Sequence, residues 1–114
     1  MKKIILLSLG LIAVLSADVV KEFYPSGKIK SEINKNEKGL TDGLVKKFYE
    51  NGNLKEVFTM GKNSFQGEYK SFYENGKIKE KINFSNGLMN GDFITYSKDG
   101  KVTKTEKYKY GEKI

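Results

Sequence analysis

Glycine, or asparagine in its place, returns every 24 residues in three separate columns, and this periodicity constrains the fold more tightly than any other feature of the sequence. One column is Gly27, Gly52, Gly76 and Gly100, spaced 25, 24 and 24 residues apart. A second is Gly43, Gly67 and Gly91, and a third is Gly39, Asn63, Gly87 and Gly111. Glycine enters positive φ without steric cost, and asparagine does so more readily than most side chains. A fixed period of this length marks a repeat architecture with one supersecondary unit per period. The unit is clearest at Phe72-Tyr73-Glu74-Asn75-Gly76-Lys77-Ile78-Lys79-Glu80 and at Phe48-Tyr49-Glu50-Asn51-Gly52-Asn53-Leu54-Lys55-Glu56. It is looser at Phe23-Tyr24-Pro25-Ser26-Gly27-Lys28-Ile29-Lys30 and decayed at Tyr96-Ser97-Lys98-Asp99-Gly100-Lys101-Val102.

Short alternating segments flank Asn51-Gly52, Asn75-Gly76 and Asp99-Gly100, which predicts β-hairpins closed by two-residue type I′ turns. Ser26-Gly27 is the weaker copy. That register pairs Tyr49 with Leu54, Lys47 with Glu56 and Val45 with Phe58. It places Val45, Tyr49, Leu54 and Phe58 on one face, which we take as the core, because alternate strand residues share a face. The same face of the next hairpin carries Tyr69, Tyr73, Ile78 and Ile82, and that of the first carries Val20, Tyr24, Ile29 and Ile33. In the last repeat it thins to Phe93 and Val102, as expected of a terminal, capping repeat. The opposite face is predicted to carry an aromatic column, Phe23, Phe48, Phe72 and Tyr96, flanked by a lysine column, Lys30, Lys55 and Lys79. These seven residues are the candidate partner-binding residues; the alternative is that they cover a thin sheet through cross-strand packing and cation–π contacts. The extra residue of the first period falls between Ile33 and Gly39. The expected fold is all-β: an elongated antiparallel meander of up to eight short strands, about four repeats of 24 residues.

Composition narrows the chemistry. His, Cys, Trp and Arg are absent from the 114 residues, which removes the commonest general base, the thiol nucleophile and the bidentate phosphate clamp. No paired carboxylates, nucleophile with base, or phosphate loop appears, so no catalytic site, metal, cofactor or small-molecule substrate is expected. Glu56 and Glu80 recur one per repeat and read as cross-strand partners of Lys47 and Ser71. The net charge is +7, and without Lys2 and Lys3 it is 19 lysines against 14 acids, or +5. Lysines interspersed in this way suit a solvated surface, or contact with an anionic partner. Nucleic acid is disfavoured by the absence of Arg and by the export expected from the N-terminus.

Met1-Lys2-Lys3 followed by apolar Ile4 to Val14 and the small residues Ser16 and Ala17 has the form of a secretory signal peptide. It divides the chain into residues 1–17, removed after Ser16 or Ala17, and a repeat domain over 18–114. The alternative is an uncleaved anchor. With no cysteine to carry lipid, the product is expected in the periplasm or outside the cell and not as a lipoprotein.

Phe-Tyr-Glu-Asn-Gly-Lys-Ile-Lys-Glu, followed eleven residues on by Asn-Gly and then Asn-Gly-Asp-Phe, resembles the bacterial variant of the MORN repeat, whose members are often labelled YwqK-family antitoxins. The likeness covers nearly all of residues 18–114, in four copies. It implies an elongated sheet of consecutive hairpins and a role in interaction or membrane-associated scaffolding without catalysis. A protein or envelope partner is therefore the leading expectation, and a peripheral protein on anionic headgroups the second. An antitoxin-like protein is the third, although export would separate it from a cytoplasmic toxin.

Overall fold

Alternating patterns of six to nine residues, each bounded by a turn column, give eight strands that pair in chain order. The computed structural model describes residues 3–6 and 18–114. The strands are β1 (Lys3–Leu6), β2 (Asp18–Phe23), β3 (Ile29–Lys35), β4 (Thr41–Phe48), β5 (Leu54–Gly61), β6 (Ser64–Phe72), β7 (Ile78–Ser85), β8 (Leu88–Tyr96), β9 (Val102–Lys109) and β10 (Glu112–Lys113). They form one sheet in the order β1 to β10, with no element packed out of sequence. From β2 to β10 every neighbour is antiparallel. The meander thus holds nine strands where up to eight were expected, the extra one being the two-residue β10. Strand β1 lies parallel to β2, with Lys3 opposite Asp18 and Leu6 opposite Lys21. The expected cleavage point after Ser16 or Ala17 lies outside the described residues.

The two sides of the sheet use different turns at all but one loop, and the type I′ turns are not on the side where the sequence predicted them. At the Gly52 edge, Gly52 N–H donates to Tyr49 C=O and Tyr49 N–H donates to Asn53 C=O. Only Gly52 has positive φ, at 94°. This is a type I turn over Glu50 and Asn51 closed by a left-handed glycine, a three-residue loop rather than the expected type I′ pair. The same backbone bonds recur at Gly27, Gly76 and Gly100, with φ of 89°, 90° and 95°. Type I′ turns do occur, on the opposite edge. There Lys62-Asn63, Asn86-Gly87 and Tyr110-Gly111 all have positive φ. The first loop of that edge, Asn36 to Leu40, is again of the three-residue kind. It holds the extra residue of the first period where the sequence placed it. The second glycine column, Gly43, Gly67 and Gly91, sits in long strands at register irregularities opposite β3, β5 and β7, also at positive φ.

A three-residue loop shifts the pairing beside it by one. Phe48, not Tyr49, is opposite Leu54, while Lys47 still faces Glu56 and Val45 faces Phe58. Lys55 is left over as a β-bulge. Lys30, Lys79 and Thr103 are the corresponding extra residues, since Phe23 pairs with Ile29, Phe72 with Ile78 and Tyr96 with Val102. A bulge bends its strand and re-aims its side chain. Ile29, Leu54 and Ile78 therefore leave the expected core face and join the phenylalanines on the other.

The core that remains is thin. Val20 and Val45 are its fully buried apolar side chains, and Ser31 and Ser71 are buried beside them. An aromatic cluster extends it, with ring centroids 5.1 Å apart for Phe58 and Phe65, 4.9 Å for Phe65 and Phe84, and 5.6 Å for Phe58 and Tyr69. Such pairs add about 0.5 to 1.5 kcal/mol each beyond area burial, which matters in a single sheet with little interior.

Candidate functional site

Each face of the sheet carries its own order, and we name them by their aromatic rows. On the tyrosine face a polar ladder crosses all the repeats. Successive register partners run Glu22, Ser31, Lys47, Glu56, Ser71, Glu80, Thr95 and Lys104. Ser31 Oγ donates to Glu22 Oε1 at 2.7 Å and Ser71 Oγ to Glu80 Oε1 at 3.1 Å. Glu56 lies 3.9 Å from Lys47 Nζ and accepts from the Tyr69 hydroxyl at 2.5 Å. Burial of Tyr69, and next the bond it donates to Glu56, push its pKa well above the usual tyrosine value. The recurring glutamates are thus cross-strand partners, as the sequence suggested. Among the described residues no group of three or more Asp or Glu side chains is placed to hold a metal ion.

Beside the ladder runs the tyrosine row, which locks each repeat to the next. Tyr24 hydroxyl donates to Phe48 C=O at 2.6 Å, Tyr49 to Phe72 C=O at 2.7 Å and Tyr73 to Tyr96 C=O at 2.8 Å. The bulged lysines lie over these rings, with Nζ of Lys30, Lys55 and Lys79 at 5.8, 5.6 and 5.7 Å from the centroids of Tyr24, Tyr49 and Tyr73. Lys30, Lys55 and Lys79 therefore do not flank Phe23, Phe48 and Phe72 as expected; they belong to the other face. Asparagines of the turns continue the lock. Asn51 Nδ2 donates to Glu74 C=O at 2.9 Å and Asn75 Nδ2 to Lys98 C=O at 3.0 Å. In the fourth copy Asp99 replaces the asparagine and Ser97 the tyrosine, so both inter-repeat donors are missing there.

The other face presents Phe23, Phe48, Phe72 and Tyr96, each half-buried and each paired directly with Ile29, Leu54, Ile78 or Val102. Together they make a continuous apolar stripe across the sheet. The lysines that border it are Lys46 and Lys70, two residues from Phe48 and Phe72 on the same strands, with Lys81 opposite Lys70. The expected recognition columns are thus half retained: the structure keeps the aromatic row together and supplies different lysines. Sequence reading passed over Lys46, Lys70 and Lys81, although strand alternation by itself places Lys46 with Phe48 and Lys70 with Phe72 on one face. Glu68 sits 3.0 Å from Lys70 and 3.4 Å from Lys81. The hydrogen bond from Lys70 is the main cause that holds its carboxyl below the usual range.

A family model for the MORN repeat variant matches residues 19–34, 41–60 and 65–86. The chain belongs to the MORN repeat variant family. No curated protein and no solved structure matches it. MORN repeats generally mediate protein or membrane interactions. The match stops at residue 86, yet the MORN arrangement continues through β8 and β9, where Tyr96 accepts from Tyr73 and Gly100 closes the same loop. The fourth copy has kept the backbone of the repeat and lost its donors.

Proposed function

We propose that this protein is an exported, non-catalytic repeat module that binds another protein or a component of the cell envelope through its phenylalanine face. The observation that carries the proposal is the stripe of Phe23, Phe48, Phe72 and Tyr96 with Ile29, Leu54, Ile78 and Val102, left on an open sheet face by strands that all belong to one layer. Contiguous half-exposed aromatic surface rimmed by polar residues is the usual character of an interaction site. The signal-like sequence of residues 1–17 supports export. A second reading, adhesion to anionic headgroups, draws on Lys46, Lys70 and Lys81 beside that stripe. Glu68 offsets two of those charges, which favours the protein partner. An antitoxin-like role would use the same surface to neutralise a bound protein.

The test pairs Phe48→Ser and Phe72→Ser in one full-length variant and Tyr49→Ala and Tyr73→Ala in another, and measures retention of partners from envelope extract alongside urea unfolding. The phenylalanine variant is expected to keep cooperative unfolding and lose binding. If it unfolds as readily as the tyrosine variant, the stripe is core; if it binds normally, recognition lies on the loops around Asn63 and Gly87. Retention that falls steeply with salt would select the membrane reading, because exposed charge pairs are screened within about 8 Å at physiological ionic strength.

A further inference from the structure

We infer that the outer edge of β2 is a strand-acceptor site, held in the full chain by its own residues Lys3–Leu6 and able to take a parallel, apolar strand of a partner protein in their place. The inference rests on how differently the two ends of the sheet are finished, and it does not depend on the phenylalanine stripe or on cleavage of the N-terminus.

At the C-terminal end the chain blocks further pairing. Strand β9 reads Val-Thr-Lys-Thr-Glu-Lys-Tyr-Lys, and β10 pairs with Tyr108 and Lys109 alone. Lysines along an edge strand oppose addition of another strand, because pairing would bring charge and its hydration shell against a neighbour. Lys113 Nζ lies 2.7 Å from Glu106, which pins the short β10 across the end. Ser97 stands in place of the tyrosine donor used at all three internal boundaries, and Asp99 in place of the asparagine donor used at two of them.

At the N-terminal end nothing comparable is built in. Strand β2 reads Asp-Val-Val-Lys-Glu-Phe, with two adjacent β-branched residues, no proline, and its one lysine tied to Glu32 at 3.3 Å. Such a strand favours pairing. The structure shows that edge accepting one: Ile4 is opposite Val19 and Ile5 opposite Val20 in parallel register. Val20 is fully buried although it lies on the last antiparallel strand. Backbone hydrogen bonds give an added strand its affinity and alternate side chains its specificity. The chemistry of the segment seated there defines the partner: an extended stretch like Lys-Ile-Ile-Leu, entering with a basic residue opposite Asp18. Tethering gives Lys3–Leu6 an effective concentration on the order of millimolar, so a free strand competes only when that segment is displaced or removed.

The experiment uses the full chain carrying Ile5→Pro, which removes an N–H from β1 and disfavours a strand there. Hydrogen exchange at those amides of β2 that point toward β1 is expected to speed up at least tenfold, while the amides of β2 that point toward β3 and those of β6, β7 and β8 keep their wild-type rates and show the sheet intact. A peptide of residues 2–8 added at millimolar concentration should restore the protection, and the same peptide with proline at position 5 should not. Unchanged exchange in the variant would overturn the inference, as would a failure of the peptide to restore protection. A variant that dimerises through β2 and stays dimeric with peptide present would overturn it too, by assigning the edge to a second copy.

Discussion

The hydroxyl of Tyr49 lies 2.7 Å from the backbone carbonyl of Phe72 and donates a hydrogen bond to it, one full repeat further along the chain. Tyr24 and Tyr73 make the same bond to Phe48 and Tyr96. The Phe-Tyr dipeptide thus divides its labour: the phenylalanine faces the open side of the sheet and offers its carbonyl backwards, while the tyrosine on the other face reaches forward to the next carbonyl. Repeat stability then resides largely in boundaries between neighbours, as in other quasi-one-dimensional proteins.

Tyr49→Phe is expected to cost about 1 kcal/mol, the net worth of one hydrogen bond whose acceptor is left poorly solvated. Tyr49→Ala should cost about 2 to 4 kcal/mol, because ring packing and the lysine contact go with it. Urea denaturation of the two variants checks both values, and equal losses would show that the ring adds nothing beyond its hydroxyl.

The turns make a sharper distinction. Asn63 has φ of 65° and Asn51 is not in positive φ. Asn63→Gly should therefore be neutral or mildly stabilising. Asn51→Gly should destabilise by about 1 kcal/mol, through loss of its bonds to Glu74 C=O and Asn53 N–H. Gly52→Val, at φ of 94°, should cost about 1 to 3 kcal/mol. Thermal or chemical unfolding of the three variants orders them, and a larger loss for Asn63→Gly than for Asn51→Gly would contradict the assigned turns.

Alkaline pH should loosen the aromatic cluster through Tyr69. Burial, and then the bond to Glu56, raise its folded pKa above the unfolded value of about 10. A raised pKa means that folding favours the protonated phenol, so this contribution is complete below about pH 10 and is lost as pH rises beyond it. Absorbance titration near 295 nm should find Tyr69 ionising well above the usual tyrosine value. The stability difference between wild type and Tyr69→Phe should shrink above that pH.

Acid should act first on the C-terminal end. The hydrogen bond from Lys113 is the main cause that lowers the Glu106 carboxyl below its usual value. A lowered pKa favours the ionised form in the folded state, so its contribution is present above the ordinary glutamate value of about 4.3 and fades as pH falls through the folded one. Amide exchange at Glu112 and Lys113 should accelerate below pH 4 while that of β6 holds, and Glu106→Gln should remove the difference.

The sequence alone determined the repeat, its period, the all-β meander and the pairing of Val45 with Phe58 and Lys47 with Glu56, because glycine columns and strand alternation are local signals that need no knowledge of neighbours. It also located the extra residue of the first loop. It could not decide which edge takes the type I′ turns, since Asn-Gly satisfies either geometry in isolation. At Asn51 the three-residue loop is accompanied by a bond from the asparagine side chain to the carbonyl of Glu74, 23 positions away. That single choice moved Leu54 to the phenylalanine face and brought Lys55 over Tyr49. Which carbonyl each tyrosine reaches is a long-range fact, and only the assembled sheet, where successive repeats lie two strands apart, brings those groups within bonding distance.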